Sequence, residues 1–305
     1  MLGEPASARV IALPTRRRRT GLEATVSALR PKQWTKNLLL FAGLVFAAKL
    51  GDWVRWVEAG AAFAAYCAAS SAAYLLNDVR DLPHDRLHPV KRERPVAQGE
   101  LPASRALLLA GGLALGSLGA AAALGPWSAL FMAAFLGLQA AYTLGLKHVV
   151  LVDVMAIGAL FVIRAAAGAA AVDVRISPWL LLCTALLALF LGLAKRRGEL
   201  VLVGAAETPG RPVLEGYSLE LVDQLVSVVA AATVVSYSIY TFTAGGSRAM
   251  MLTIPFVVFG VFRYLLLIHR HDLGEEPENA LVSDPPILIA AGLWVLTAVL
   301  VLLLG

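Results

Sequence analysis

The chain has 305 residues, of which 59% are hydrophobic and only 15% charged, with a net charge of +5 and a mean hydropathy of +0.74. Soluble domains carry about 45–50% apolar and about 25% charged residues, so this composition excludes an ordinary water-soluble enzyme, a disordered chain and a nucleic-acid binder with a solvated surface. The basic residues cluster between apolar runs, as the positive-inside rule places them, and no nucleic-acid partner is expected.

In chain order, the first residues are polar and Arg-rich (Arg16 to Arg19), with no cleavable signal peptide expected. A helix crossing the hydrocarbon needs about 20 apolar residues. Nine runs approach that length: 34–50, 59–77, 104–124, 127–145, 149–171, 178–195, 221–243, 250–268 and 286–304. The first is the weakest, because its apolar core from Leu38 to Leu50 is short. The expected fold class is therefore all-α, a polytopic bundle of about nine transmembrane helices. A cytoplasmic N-terminus puts residues 1–37, 78–103, 146–148, 196–220 and 269–285 on one side with most of the Lys and Arg. It leaves Lys49, Arg55, Arg175 and Arg248 opposite, an asymmetry that orients a multi-pass protein of the cell inner membrane. The chemistry-bearing loops all fall on the cytoplasmic side, as suits an enzyme with a soluble charged donor rather than a transporter, for which inverted repeats and broken helices are expected. Cys67 and Cys183 lie within apolar runs and show no metal-ligand spacing.

The strongest local signal is Asn77-Asp78-Val79-Arg80-Asp81-Leu82-Pro83-His84-Asp85. On a helix, Asp78, Asp81 and Asp85 share a face. Carboxylates so stacked repel unless a cation sits among them, and magnesium, bound through one or two carboxylates plus substrate phosphates, is the natural candidate. Pro83 predicts a break near Leu82, which leaves Asp85 less firmly placed. In the basic stretch that follows, Lys91 and Arg92 fit anchoring at an anionic leaflet. Arg94, held extended by Pro95, fits either anchoring or phosphate capture.

Asn-Asp-x-x-Asp-x-x-x-Asp at the end of the second helix resembles the first Asp-rich motif of the UbiA superfamily of membrane prenyltransferases. So do the following K-R-E-R-P-V-A-Q-G-E-L-P and the pair Tyr142 and Lys147 after helix four. The resemblance implies a basic cytoplasmic segment over residues 1–33 and a UbiA-like catalytic domain over 34–305. It implies a magnesium site of Asn77, Asp78, Asp81 and Asp85, and Lys147 as a diphosphate ligand. One departure is informative: where the family carries a second Asp-rich motif, this chain has Ala194-Lys195-Arg196-Arg197-Gly198-Glu199. With R-P-K-Q-W-T-K-N at 30–37 and P-E-N-A-L-V-S-D within 263–284, the chain resembles a subgroup that moves a 5-phosphoribosyl group. The donor of that subgroup is phosphoribosyl diphosphate (PRPP) and the acceptor a polyprenyl (decaprenyl) phosphate, on the way to cell-wall arabinan. Attachment of a polyprenyl group to an aromatic acceptor is the alternative.

A donor with a diphosphate and a separate 5-phosphate, meeting an acceptor phosphate, calls for more cations and fewer carboxylates. Arg30, Lys36, Lys147, Lys195, Arg196 and Arg197 near the cytoplasmic boundary answer that call, although Lys195 to Arg197 also read as a topology signal. Asp153 fits contact with ribose hydroxyls or metal. Arg164, near mid-membrane, must face the interior and find a partner, as pocket support or as a structural pair. Tyr142 fits either an interfacial belt or a phosphate or ribose donor. Expected catalytic groups are Asp78, Asp81 and Lys147; expected substrate contacts are Arg30, Lys36, Asn77, Arg94, Tyr142, Asp153, Arg164, Lys195, Arg196, Arg197 and Glu199. The acidic stretch 274–284, with Glu278 and Asp284, fits a solvated loop or a lid. Assembly into a homo-oligomer is compatible with such a bundle.

Overall fold

The computed structural model describes residues 19–46, 51–88, 90–175, 177–206, 212–243, 248–270 and 283–304. Residues 1–18 of the basic N-terminal segment, and Glu278 with most of the acidic stretch 274–284, lie outside the described residues.

The described residues form helices without strands. The first, α1 (Gly21–Leu29), is short and begins on a capping box: the Thr20 hydroxyl accepts from Glu23 N, and the Glu23 carboxylate accepts from Thr20 N at 2.8 Å. A 3-10 stretch, Pro31–Phe41, then runs into α2 (Ala42–Phe46). Next come α3 (Trp53–Arg80), the single turn α4 (Leu82–Asp85), α5 (Ala103–Leu124), α6 (Pro126–Leu144), α7 (Val152–Ala171) and α8 (Pro178–Ala206). The chain continues through α9 (Leu219–Thr243), α10 (Ile254–Arg270) and α11 (Pro285–Leu304).

Seven helices among the described residues are long and apolar enough to span a membrane: α3, α5, α6, α7, α8, α9 and the stretch Arg248–Arg270 that contains α10. Helix α11 is apolar as well and counts as a shorter candidate over Pro285–Val301. Of the nine expected runs, seven are matched among the described residues; the other two are 286–304 and 34–50, the latter described over 34–46. Over 34–46 the chain is a 3-10 stretch followed by one α-helical turn, and it packs on α7 at backbone contact. A Cβ at Gly43 would stand 2.8 Å from Ala169 Cα, and one at Gly168 would collide with the Leu40 carbonyl. Small residues permit this approach. Buried Asn37 in the same stretch hydrogen-bonds inward, toward α7 and α3, so the segment is a packed strut against both.

Two boundaries also shift. Helix α3 stops at Arg80, Asp81 caps it, and α4 restarts with Pro83 in its first turn, where the missing N–H is harmless. Helix α8 does not end at 195; it carries Lys195 to Glu199 as helix and continues to Ala206, because Arg196 and Glu199, three apart, pair on its inner face. Outward faces are apolar, with Leu108, Leu115, Trp127, Val228, Phe262 and Ile289 exposed where lipid tails would lie.

Candidate active site

The ends of α3, α6 and α8 and the starts of α7 and α9 meet at one face of the bundle, and polar contacts tie them together. At the end of α3, Asp78 is almost fully buried and Asp81 half-buried. Three cations from three separate stretches meet the carboxylates. Arg30, which caps α1 in the left-handed region (φ 54°), pairs with Asp78 Oδ1 and lies 5.0 Å over the Tyr74 ring. Arg94, extended at φ −64°, ψ 141° before Pro95, donates from Nη1 to Asp78 Oδ1 at 3.2 Å and to Asp85 Oδ2 at 2.6 Å. The single turn α4 is what returns Asp85 to its neighbour. Lys147, in the 3-10 turn Leu146–His148, is buried; its Nζ grips both Asp81 oxygens at 2.7 and 2.9 Å and reaches Asn77 Oδ1 at 3.3 Å.

Seven of the expected residues therefore converge: Arg30, Asn77, Asp78, Asp81, Asp85, Arg94 and Lys147. Among the described residues no three His, Cys, Asp or Glu side chains form a closed metal cage. The donor set nevertheless fits a hard divalent cation. All its ligating atoms are oxygens, and Asp78 Oδ2 is buried without a hydrogen bond. Magnesium keeps several water or phosphate ligands, so one or two carboxylates suffice.

A second cluster lies beside the first. Asp153, in the first turn of α7, is fully buried; Arg196 Nε stands 3.1 Å from its Oδ2 and also pairs with Glu199. Tyr217 donates to Asp153 Oδ1 at 2.7 Å. Burial first, and then this bond to the carboxylate, push the Tyr217 phenol up to about 12. Arg197 Nε donates to Asp223 Oδ1 at 2.7 Å and its Nη1 to the Ile268 carbonyl at 2.6 Å, tying α8 to α9 and α10.

Other expected residues stand apart from the carboxylates. Arg164 sits eleven residues beyond Asp153 on α7, about 16 Å along the axis. Its Nε donates to Asn37 Oδ1 at 2.8 Å, and its guanidinium lies 4.7 Å over Phe135 and 5.2 Å over Phe161. Tyr142, near the end of α6, is half-buried and makes no side-chain hydrogen bond among the described residues; Lys36 and Lys195 are half-buried. Asp284 caps α11 by accepting from Ile287 N and pairs with Arg263 at 2.9 Å.

Sequence reasoning missed Tyr217, Asp223 and Asn37. Asn37 carried a signal, a polar residue opening an apolar run. Tyr217 and Asp223 carried none, because their partners are 64 and 26 positions away.

The profile of the UbiA prenyltransferase family matches residues 38–283. The chain is 36% identical over 281 residues to the decaprenyl-phosphate phosphoribosyltransferase of Mycobacterium tuberculosis, covering 89% of this chain and 92% of that one. With the decaprenyl-phosphate phosphoribosyltransferase of Mycolicibacterium smegmatis it shares 35% identity over 286 residues, covering 88% and 89%. Its fold matches that of a UbiA homologue from Archaeoglobus fulgidus bound to GPP and Mg2+, with a TM-score of 0.70 at 19% identity, over 92% of this chain and 99% of that one. The chain belongs to the UbiA prenyltransferase family, an all-helical family of membrane proteins.

Proposed function

We propose that the protein transfers a 5-phosphoribosyl group from PRPP to a polyprenyl phosphate, decaprenyl phosphate in the first instance, and releases diphosphate. The observation that carries this reading is the convergence of Arg30, Arg94 and Lys147, from three separate stretches of chain, on Asp78, Asp81 and Asp85. A site with as many cations as carboxylates suits a donor with two phosphate clusters better than one with a single diphosphate. The names of the relatives at 35–36% identity agree with it.

Magnesium held by Asp78 and Asp81, with Asn77 and Asp85 in support, would neutralise the leaving diphosphate. Lys147 then binds that diphosphate and meets charge as the anomeric carbon–oxygen bond breaks. Arg30 and Arg94, whose forks suit phosphate oxygens, exchange their carboxylate partners for phosphates when the donor arrives. The acceptor phosphate oxygen attacks the anomeric carbon directly and needs no strong general base. Arg196 is almost fully buried between Asp153 and Glu199, whereas Arg30 and Arg94 keep part of their side chains exposed, so direct phosphate contact falls first to the cations around Asp78 and Asp81. The site faces the cytoplasm, where the water-soluble donor is, and the polyprenyl tail lies in the bilayer.

The second reading, transfer of a polyprenyl group to an aromatic acceptor, is favoured by the fold shared with the archaeal protein bound to GPP. Offering the purified protein both donor pairs together with magnesium, and analysing extracted lipid by mass spectrometry, separates the two. The proposal expects a phosphoribosylated lipid; a prenylated aromatic product alone would replace it with the second reading.

A further inference from the structure

Lys147 can meet a diphosphate only if the stretch between α6 and α7 is held at one depth, and beyond its own backbone turns and the Lys147–Asp81 contact it is tied to a distant part of the fold. The residue before α7, Leu151, is apolar and has a positive φ (66°, with ψ −39°), and no side chain caps the helix start. The Leu151 N–H instead finds the Tyr217 hydroxyl at 2.7 Å, from across the fold. The same hydroxyl donates to Asp153 Oδ1 at 2.7 Å, so its donor and acceptor are both used on the first turn of α7. Two further contacts fix this bridge. Gly216 lies so close to Val150 that a side chain there would collide with it, and Asp153 is backed by Arg196, itself paired with Glu199. The Tyr217 ring belongs to the apolar cluster with Phe190, Val213 and Val222. Ring and hydroxyl therefore have separable tasks, packing and tethering.

We infer that Tyr217 is a positioning residue for diphosphate recognition: through Leu151 and Asp153 its hydroxyl sets the place of Lys147 over Asp81. This deepens the proposed function and rests on its assignment of Lys147 to the diphosphate. Tyr217 itself touches none of the three carboxylates of the site. Its effect is carried by a loop whose catalytic nitrogen sits four residues from the tethered N–H, and displacements of about 1 Å in such groups matter.

The test is magnesium-dependent binding of inorganic diphosphate to the full chain in lipid nanodiscs, measured by calorimetry. Tyr217→Phe keeps the ring and deletes the tether; it is expected to weaken binding about 10-fold, the size that outer-shell partners carry. Tyr264→Phe, in the same apolar cluster, leaves binding unchanged. Lys147→Ala weakens binding, and adding Tyr217→Phe to it causes no further loss, which a general loss of packing would not produce. If Tyr217→Phe does not fold, Gly216→Ala, which keeps the hydroxyl but pushes the tethering stretch off Val150, weakens binding in its place. Wild-type affinity in Tyr217→Phe, losses that multiply in the double variant, or no diphosphate binding by the wild type each overturn the inference. A wild type that binds diphosphate yet moves no label from PRPP would instead refute the phosphoribosyl reading alone.

Discussion

Lys147 Nζ lies 2.7 and 2.9 Å from the two oxygens of Asp81, which joins the α6–α7 turn to the end of α3 across 66 positions of sequence. If that lysine stabilises the departing diphosphate, Lys147→Ala lowers kcat/KM about 10²–10³-fold, the range for loss of one preorganised donor. Asp81→Asn abolishes turnover. Steady-state rates with magnesium check both, and normal activity in Asp81→Asn contradicts the metal role of that carboxylate.

Arg94 spans Asp78 and Asp85 with one nitrogen, so under the proposed function it competes with a metal for the same carboxylates and turns to a phosphate when the donor is present. Arg94→Met should tighten binding of magnesium alone and weaken binding of the donor, whereas a residue that merely anchors the loop would alter neither. Calorimetry with each ligand separately reads the two effects. Arg94→Lys keeps the charge but loses the planar fork, and it recovers only part of the donor affinity.

How much of this was legible in the sequence depended on range. Asp78, Asp81 and Asp85 sit within eight positions, and Pro83 announces the break that turns the last of them back; both are local facts. The conformation of 34–46 was not legible, because it is set by an encounter with Gly168 and Ala169 more than a hundred residues on. The basic run 195–197 read as the start of a loop because hydropathy falls there. Its charges stay inside a helix because Asp153, Glu199 and Asp223 face them, and two of those partners come from other helices.

The close crossing of the 31–46 segment and α7 has a stability consequence. Gly168→Val places branched carbons where the Leu40 carbonyl stands and should cost about 1–3 kcal/mol, as overpacking does. Thermal unfolding in detergent measures the loss.

Asn37 supplies Arg164 with its one side-chain oxygen among the described residues. Asn37→Leu leaves a buried guanidinium with a backbone carbonyl and two aromatic faces. A loss of about 1.5–3 kcal/mol is expected, the worth of a hydrogen bond to a charged group. A variant as stable as the parent would contradict a structural task for Arg164.

The raised phenol of Tyr217 gives the tether a pH signature. Its folded value is about 12 against 10.0 ordinarily, so the stabilisation it confers is complete below about pH 10 and fades as pH rises toward 12. The difference in unfolding temperature between wild type and Tyr217→Phe should therefore be constant from pH 7 to about 10 and shrink above that.

The most direct measurement of the proposed chemistry uses two labelled forms of PRPP with magnesium and decaprenyl phosphate. Label on the 5-phosphate should pass into the organic-extractable lipid, while label on the diphosphate should leave in the aqueous phase in equal amount. Diphosphate label in the lipid, or no lipid label from either form, would contradict transfer at the anomeric carbon.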